Sequence, residues 1–133
     1  LLLVILTAIG IYAVSISTTE MDIALQTRVG MITRNIAESG AYFGIAGLPF
    51  TTYPSTGTAY TGTLTMGPNM TGAYTVNSDQ SGALSIQPGY GANFRFADFS
   101  VKSSTSSAPS GFTGTARVDA DVNYGPIPSG TSY

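Results

Sequence analysis

The chain is 133 residues long, contains neither cysteine nor histidine, and has a formal net charge of −2. The lack of these two residue types excludes disulfides, thiolate metal sites and the commonest general base, so we expect no enzyme activity, no metal and no cofactor. Five singly scattered Lys and Arg residues offer no basic patch for nucleic acid.

The chain opens with an uncharged run of nineteen residues, of which the first fourteen are almost wholly apolar. A membrane-spanning helix needs about 20 apolar residues, so this run is membrane-compatible but of marginal length. It lacks the basic region and cleavage site of a secretory signal peptide. Because it begins without Met, we expect it to start after processing or a truncation. The side chains expected to be buried in lipid or among other copies are Leu1, Leu2, Leu3, Val4, Ile5, Leu6, Ile9, Ile11, Tyr12 and Val14.

An apolar stripe continues the helical pattern beyond this run, in steps that keep one face against a partner. We predict one helix from Leu1 to about Gly47, about 70 Å long at 1.5 Å per residue. Gly40 and Gly44 favour close packing on a sheet. So small a head cannot cover the whole helix, and the N-terminal half should project. The residues expected to pack on the head are Met21, Leu25, Val29, Ile32, Ile36 and Phe43.

Two acidic residues, Glu20 and Asp22, follow directly after the uncharged run. They either pair with Arg28 or Arg34 of a neighbouring copy or lie solvated at the boundary. The sequence alone favours neither interpretation.

The rest of the chain is rich in Ser, Thr and Gly, and it is typical of β structure. The clearest strand alternates Ala and Val with charged residues, which indicates one buried and one solvated face. Asn77–Gly82 has the composition of a hairpin connection and Ser103–Gly111 that of a polar loop. The predicted strands are Thr58–Met66, Ala73–Val76, Ala83–Ile86, Asn93–Val101 and Thr113–Tyr124.

These elements together predict an α+β fold. A long N-terminal helix occupies residues 1–47, with the uncharged segment at 1–19, and a β-rich head occupies residues 48–133. The apolar half of the helix projects, and its amphipathic half packs on an antiparallel sheet of four or five strands.

Asp119, Asp121 and Asn123 place three oxygen-bearing side chains on one face of the last strand. Calcium loops with this spacing have Gly directly after the third ligand and Glu at the twelfth position. The chain has Tyr124 and Gly130 at those places. A solvated strand face explains the pattern better, and we assign no metal site.

Asn69 begins an N-glycosylation triplet, which chance explains more readily than function. The polar tract in Ser103–Gly111 offers candidate acceptors for O-linked sugar, although a plain flexible loop explains it equally well. The candidate acceptors there are Ser103, Ser104 and Thr105.

The helix and the β-rich head together resemble a type IV pilin or pseudopilin. The segment Thr27–Leu48 is similar to the end of the long helix in a minor-pilin-like subgroup, where small residues around Glu precede an aromatic residue and Leu. The residues that carry this likeness are Ala37, Glu38, Ser39, Gly40, Ala41, Tyr42 and Leu48.

Two features depart from the family pattern. Family members usually begin with N-methylated Phe or Met and carry Glu at the fifth position, whereas this chain has Leu1 and Ile5. Many family heads close a C-terminal disulfide loop, which a chain without cysteine cannot form. These departures concern the branch of the family rather than the architecture.

The resemblance implies a structural subunit of an extracellular pilus-like filament, with the helices inside and the heads outside. Its expected partners are other copies of itself, the inner membrane before assembly, and the pilus assembly machinery. Two alternatives stay open: a low-copy minor pilin or secretion pseudopilin, and a single-span membrane-anchored protein whose head binds a surface or sugar.

Overall fold

The structure, a computed structural model, describes residues 1–130. A four-stranded antiparallel sheet in the order β1-β2-β3-β4 packs against the C-terminal part of one long helix, which confirms the predicted α+β arrangement. The last three residues of the predicted head range, 131–133, lie outside the described residues. The elements are α1 (Leu2–Gly47), β1 (Tyr60–Thr65), β2 (Thr71–Gln80), β3 (Phe94–Ser107) and β4 (Arg117–Pro128).

The helix lies on the sheet with a face made mostly of small residues. Gly40 sits so close to β2 and β3 that an added Cβ would collide with Ser103 Oγ and approach the Tyr74 ring to 2.7 Å. An added Cβ at Gly44 would lie 2.8 Å from methyl groups of both strands. The absence of side chains here brings the helix backbone into direct contact with the sheet. The buried residues of α1 are Ile32, Thr33, Ile36, Ala37, Gly40, Ala41 and Gly44.

The core lies between this face and alternate residues of the strands. Ile36, Val76 and Val101 have no exposed surface, and Ile32 and Tyr74 complete the cluster. The register explains their convergence, because Val76 pairs with Ser103 and Ser78 pairs with Val101, so these side chains point to the same face. A second cluster at the far end of the sheet comprises Ala97, Phe99 and Ile127.

The predicted loop at Ser103–Gly111 is wrong in its first half, because β3 continues to Ser107. Ser103 and Thr105 point inward and are 1% and 5% exposed. The Thr105 hydroxyl donates to the backbone oxygen of Thr33 at 2.7 Å. Small hydroxyl-bearing side chains fit here because the helix approaches closely, and a polar composition therefore does not imply a loop.

The predicted hairpin connection at Asn77–Gly82 is also wrong, because β2 runs to Gln80 and pairs with β3. The Ser78 hydroxyl accepts a hydrogen bond from the backbone N–H of Tyr53 at 2.9 Å. Ala83–Ile86 forms no strand, only an isolated bridge from Ser85 to Phe96. Buried serine and cross-strand partners distant in sequence thus override local turn composition.

The bounds of the other strands differ from the prediction at their ends. β1 is shorter than predicted at both ends, and β4 begins at Arg117 and continues to Pro128. β4 is an edge strand, and a proline is tolerated at an edge because its missing N–H interrupts no ladder.

Gly40→Ala tests the close approach of helix and sheet. We expect it to lower the free energy of unfolding by roughly 1–3 kcal/mol, the usual cost of over-packing, although Ala is the better helix former. The matched control is Gly30→Ala, where nothing lies within 4 Å of the added Cβ, and which should raise stability by roughly 0.5–1 kcal/mol. Denaturant unfolding of the full chain in detergent measures both, and equal effects of the two substitutions would contradict the packing.

The two inward hydroxyls of β3 should behave differently. Thr105→Val removes the hydrogen bond to Thr33 and should cost roughly 0.5–1.5 kcal/mol. Ser103→Ala should be neutral or stabilising, because the Ser103 hydroxyl is buried without a hydrogen-bond partner among the described residues. The same unfolding measurement separates them, and a larger loss from Ser103→Ala than from Thr105→Val would be the contrary result.

Candidate assembly surface

The N-terminal part of α1 stands free of the head. Every residue from Leu1 to Arg28 is exposed, and this segment is about 40 Å long at 1.5 Å per residue. The exposed fractions of its large apolar side chains range from 98% at Leu1 to 42% at Ile16. All ten residues that we predicted to be buried in lipid or among other copies lie on this segment.

The predicted packing stripe contacts the head only in its C-terminal part. Ile32 and Ile36 are buried and Val29 is half-buried. The prediction is wrong for Met21 and Leu25, which are 71% and 54% exposed. Both lie beyond the end of the head, which the helix leaves near Val29: an added Cβ at Gly114 would lie 3.2 Å from Cγ1 of Val29.

Phe43 takes part in helix-to-head packing from the side of the buried face. Its ring stacks on Tyr60 with the centroids 4.3 Å apart, and the Tyr53 ring lies near both, 5.1 Å from Tyr60 and 6.2 Å from Phe43. Tyr74 completes the cluster, and burial raises the pKa of its hydroxyl, with smaller contributions from Tyr60 and Tyr53. These rings close the β1 side of the head around the helix.

The projecting segment satisfies its threonine hydroxyls internally. Thr7 donates to the backbone oxygen of Leu3 at 2.7 Å, and Thr18 donates to that of Val14 at 2.9 Å. Thr19 and Thr27 make the same bond to the residue four positions earlier. Hydroxyls bonded in this way cost less to transfer into an apolar environment than free ones do.

By length and composition, α1 is able to cross a membrane, and it is the one helix among the described residues that passes this test. The uncharged part, residues 1–19, is about 28 Å long, close to the thickness of roughly 30 Å of a bilayer's hydrocarbon core. A signal sequence meets the same criterion, so the geometry allows lipid as an environment without selecting it.

A second apolar surface lies on the head, in a groove between α1 and β4. The groove has a volume of about 240 Å³, and Glu38 lies at its margin. It forms because α1 lies mainly over β2 and β3, which leaves the inward side chains of β4 half covered. The apolar lining consists of Ala41, Tyr42, Ile45, Val118 and Ala120.

The outer face of the sheet carries the Asp119, Asp121 and Asn123 row. Arg117 lies 2.8 Å from Asp119 and lowers the pKa of that carboxyl. Asn123 donates to Asp98 at 2.6 Å. These contacts are those of a solvated strand face, and no group of acidic side chains within residues 1–130 is arranged to hold a metal ion.

The structure separates the candidate sugar acceptors. Asn69 is exposed, with a positive φ of 59° in the turn between β1 and β2, and Ser104 is half-buried on the outer face. Ser103 and Thr105 are buried under the helix, which contradicts their assignment as acceptors because no sugar can reach them in the folded head.

Comparison with protein families, curated proteins and solved structures found no match for this chain. The likeness to pilins therefore depends on the residues quoted above, and the function has to be inferred from the surfaces of the chain itself.

Proposed function

We propose that the chain is a structural subunit that polymerises through its N-terminal helix into an extracellular pilus-like filament. One observation carries the proposal: eleven large apolar side chains between Leu1 and Ile16 are exposed on a helix whose other half already packs on its own head. On the order of 1.5–3 kcal/mol per side chain is gained when such groups leave water. In an isolated subunit these side chains stay in contact with water, so this stabilisation is not gained.

Other copies of the same helix suit this surface well. A helix that is apolar on all sides has no single preferred face, so it can be surrounded by several neighbours at once. A head built on a four-stranded sheet is wider than a single helix. In a bundle of such helices the heads therefore have to lie outside. Before assembly, the same segment anchors the subunit in the membrane with the head outside. Transfer from lipid to filament is then nearly balanced in hydrophobic free energy, and assembly machinery would drive it.

Two other functions use the same surface. A low-copy minor pilin or secretion pseudopilin would insert the same helix at a tip. A single-span anchored protein, which the membrane-compatible length of α1 favours, would keep the helix in lipid and use the head to bind a surface or sugar.

Shearing the cells that make the protein separates the three. We expect released fibres composed mostly of this chain, seen by electron microscopy and identified by mass spectrometry. Fibres that contain it only in traces would indicate the minor-pilin alternative. Protein that stays wholly in the membrane fraction, with no fibre, would contradict both filament functions.

Leu6→Asp tests the helix as the assembly element. A carboxylate in the middle of the apolar segment would have to be buried unpaired, so we expect at least a tenfold loss of fibre while the head stays folded. The matched control is Thr63→Asp, at an exposed position on β1, which should leave the fibre yield unchanged. Wild-type amounts of fibre from Leu6→Asp would refute the assignment.

A further inference from the structure

The projecting part of α1 carries three charged side chains that form no ion pair with any residue of the described range 1–130. Glu20, Asp22 and Arg28 are exposed, and the described residues supply no ion pair to any of them. Arg34 differs, because its Nε lies 2.6 Å from Glu38 Oε1 in the same chain. Arg28 lies over the ring of Phe112, 5.8 Å from its centroid, a contact that leaves its N–H groups free to bind a carboxylate.

We propose that these charges set the register between neighbouring copies of the chain. Two α1 helices lie parallel and shifted along their axes, so that Glu20 or Asp22 of one copy pairs with Arg28 of the next. This inference rests on the proposed filament, and it specifies the contact within it.

The spacing along the helix gives the size of the shift. Arg28 is six residues after Asp22 and eight after Glu20, which corresponds to about 9–12 Å at 1.5 Å per residue. Parallel helices without a shift would place carboxylate beside carboxylate and Arg28 beside Arg28. Charge complementarity therefore opposes the unshifted arrangement and favours the shifted one.

The apolar segment independently favours Arg28 over Arg34 as the partner. With a shift of six to eight residues, residues 1–10 or 1–8 of one helix face residues 7–16 or 9–16 of the other, and both stretches are predominantly apolar. Pairing with Arg34 needs a shift nearly twice as long, which leaves only the first few apolar residues facing apolar ones. Arg34 is also already engaged by Glu38.

The contact is heterologous, because the acidic residues of one copy meet the arginine of another. Such a contact leaves Arg28 unused in one copy and the acidic residues unused in the other, so further copies can add at either end and the contact propagates into an open filament rather than closing into a dimer. Exposed ion pairs contribute little affinity by themselves. Their effect here is to select one shift among the many that an apolar helix surface allows.

The pairing is tested by reversing the charge of Arg28 and then also reversing the charges of its partners. The experiment uses cells in which the variant replaces the wild-type chain. Arg28→Glu should lower the yield of sheared fibres at least tenfold. Adding Glu20→Arg and Asp22→Arg to it should restore the yield to within about twofold of wild type. The matched control is Lys102→Glu, which makes the same charge change at an exposed position on the outer face of the sheet and should leave the yield unchanged. If the chain with all three substitutions yields no more fibre than Arg28→Glu alone, the pairing is contradicted.

A reconstruction of wild-type fibres by electron cryo-microscopy decides the question independently of any variant. Contacting α1 helices should be parallel and shifted by about 9–12 Å, with an acidic residue beside Arg28. A shift of about 18–21 Å, the distance that pairing with Arg34 requires, would overturn the inference while leaving the filament itself intact. An unshifted pair or antiparallel helices would overturn it in the same way. If wild-type cells shed no fibre, the proposed function and the inference fail together.

Discussion

The close contact between the lower half of α1 and the sheet determines the rest of this structure. At Gly40 and Gly44 the helix backbone touches β2 and β3 without an intervening side chain. Because of this contact, the apolar core forms around Ile36. Residues 29–44 of the helix cover the inner face of the sheet. Within residues 1–130 the head leaves the segment from Leu1 to Arg28 exposed, with Phe112 reaching only Arg28 at its end, and this exposure follows from how the other half is packed.

Much of the architecture could be predicted because the apolar residues recur with the period of a helix or of a strand. The helix, the buried positions Ile32 and Ile36, and the alternation in β4 follow from spacing alone. Ser103 and Thr105 could not be recognised as core residues, since their burial depends on a glycine and a carbonyl oxygen supplied by the distant helix. Composition indicates whether a residue prefers a loop or a strand. The burial of Ser103 and Thr105 is instead determined by their contacts with the distant helix.

The candidate assembly surface shows a similar division. The exposure of the apolar side chains from Leu1 to Val14 on an isolated subunit could be predicted because the small head could not cover the whole helix. Periodicity correctly placed Met21 and Leu25 on the same stripe as Ile32, but it could not show that the head ends near Val29. Those two side chains remain exposed beside Glu20, Asp22 and Arg28, which makes the middle of the helix a mixed apolar and charged surface. Charged side chains are costly in lipid, and under the proposed pairing a shifted copy of the helix would cover this surface.

We propose that residues 1–16 are buried among equivalent helices in a fibre. The most direct measurement is maleimide labelling of a single cysteine in this cysteine-free chain, placed by Leu6→Cys, in intact fibres and in detergent-dissociated subunits. A cysteine placed by Thr63→Cys on the exposed surface of β1 reports the access of the reagent to the head. We expect protection at position 6 in fibres, rapid labelling there after dissociation, and rapid labelling at position 63 in both. Rapid labelling at position 6 in intact fibres would contradict it.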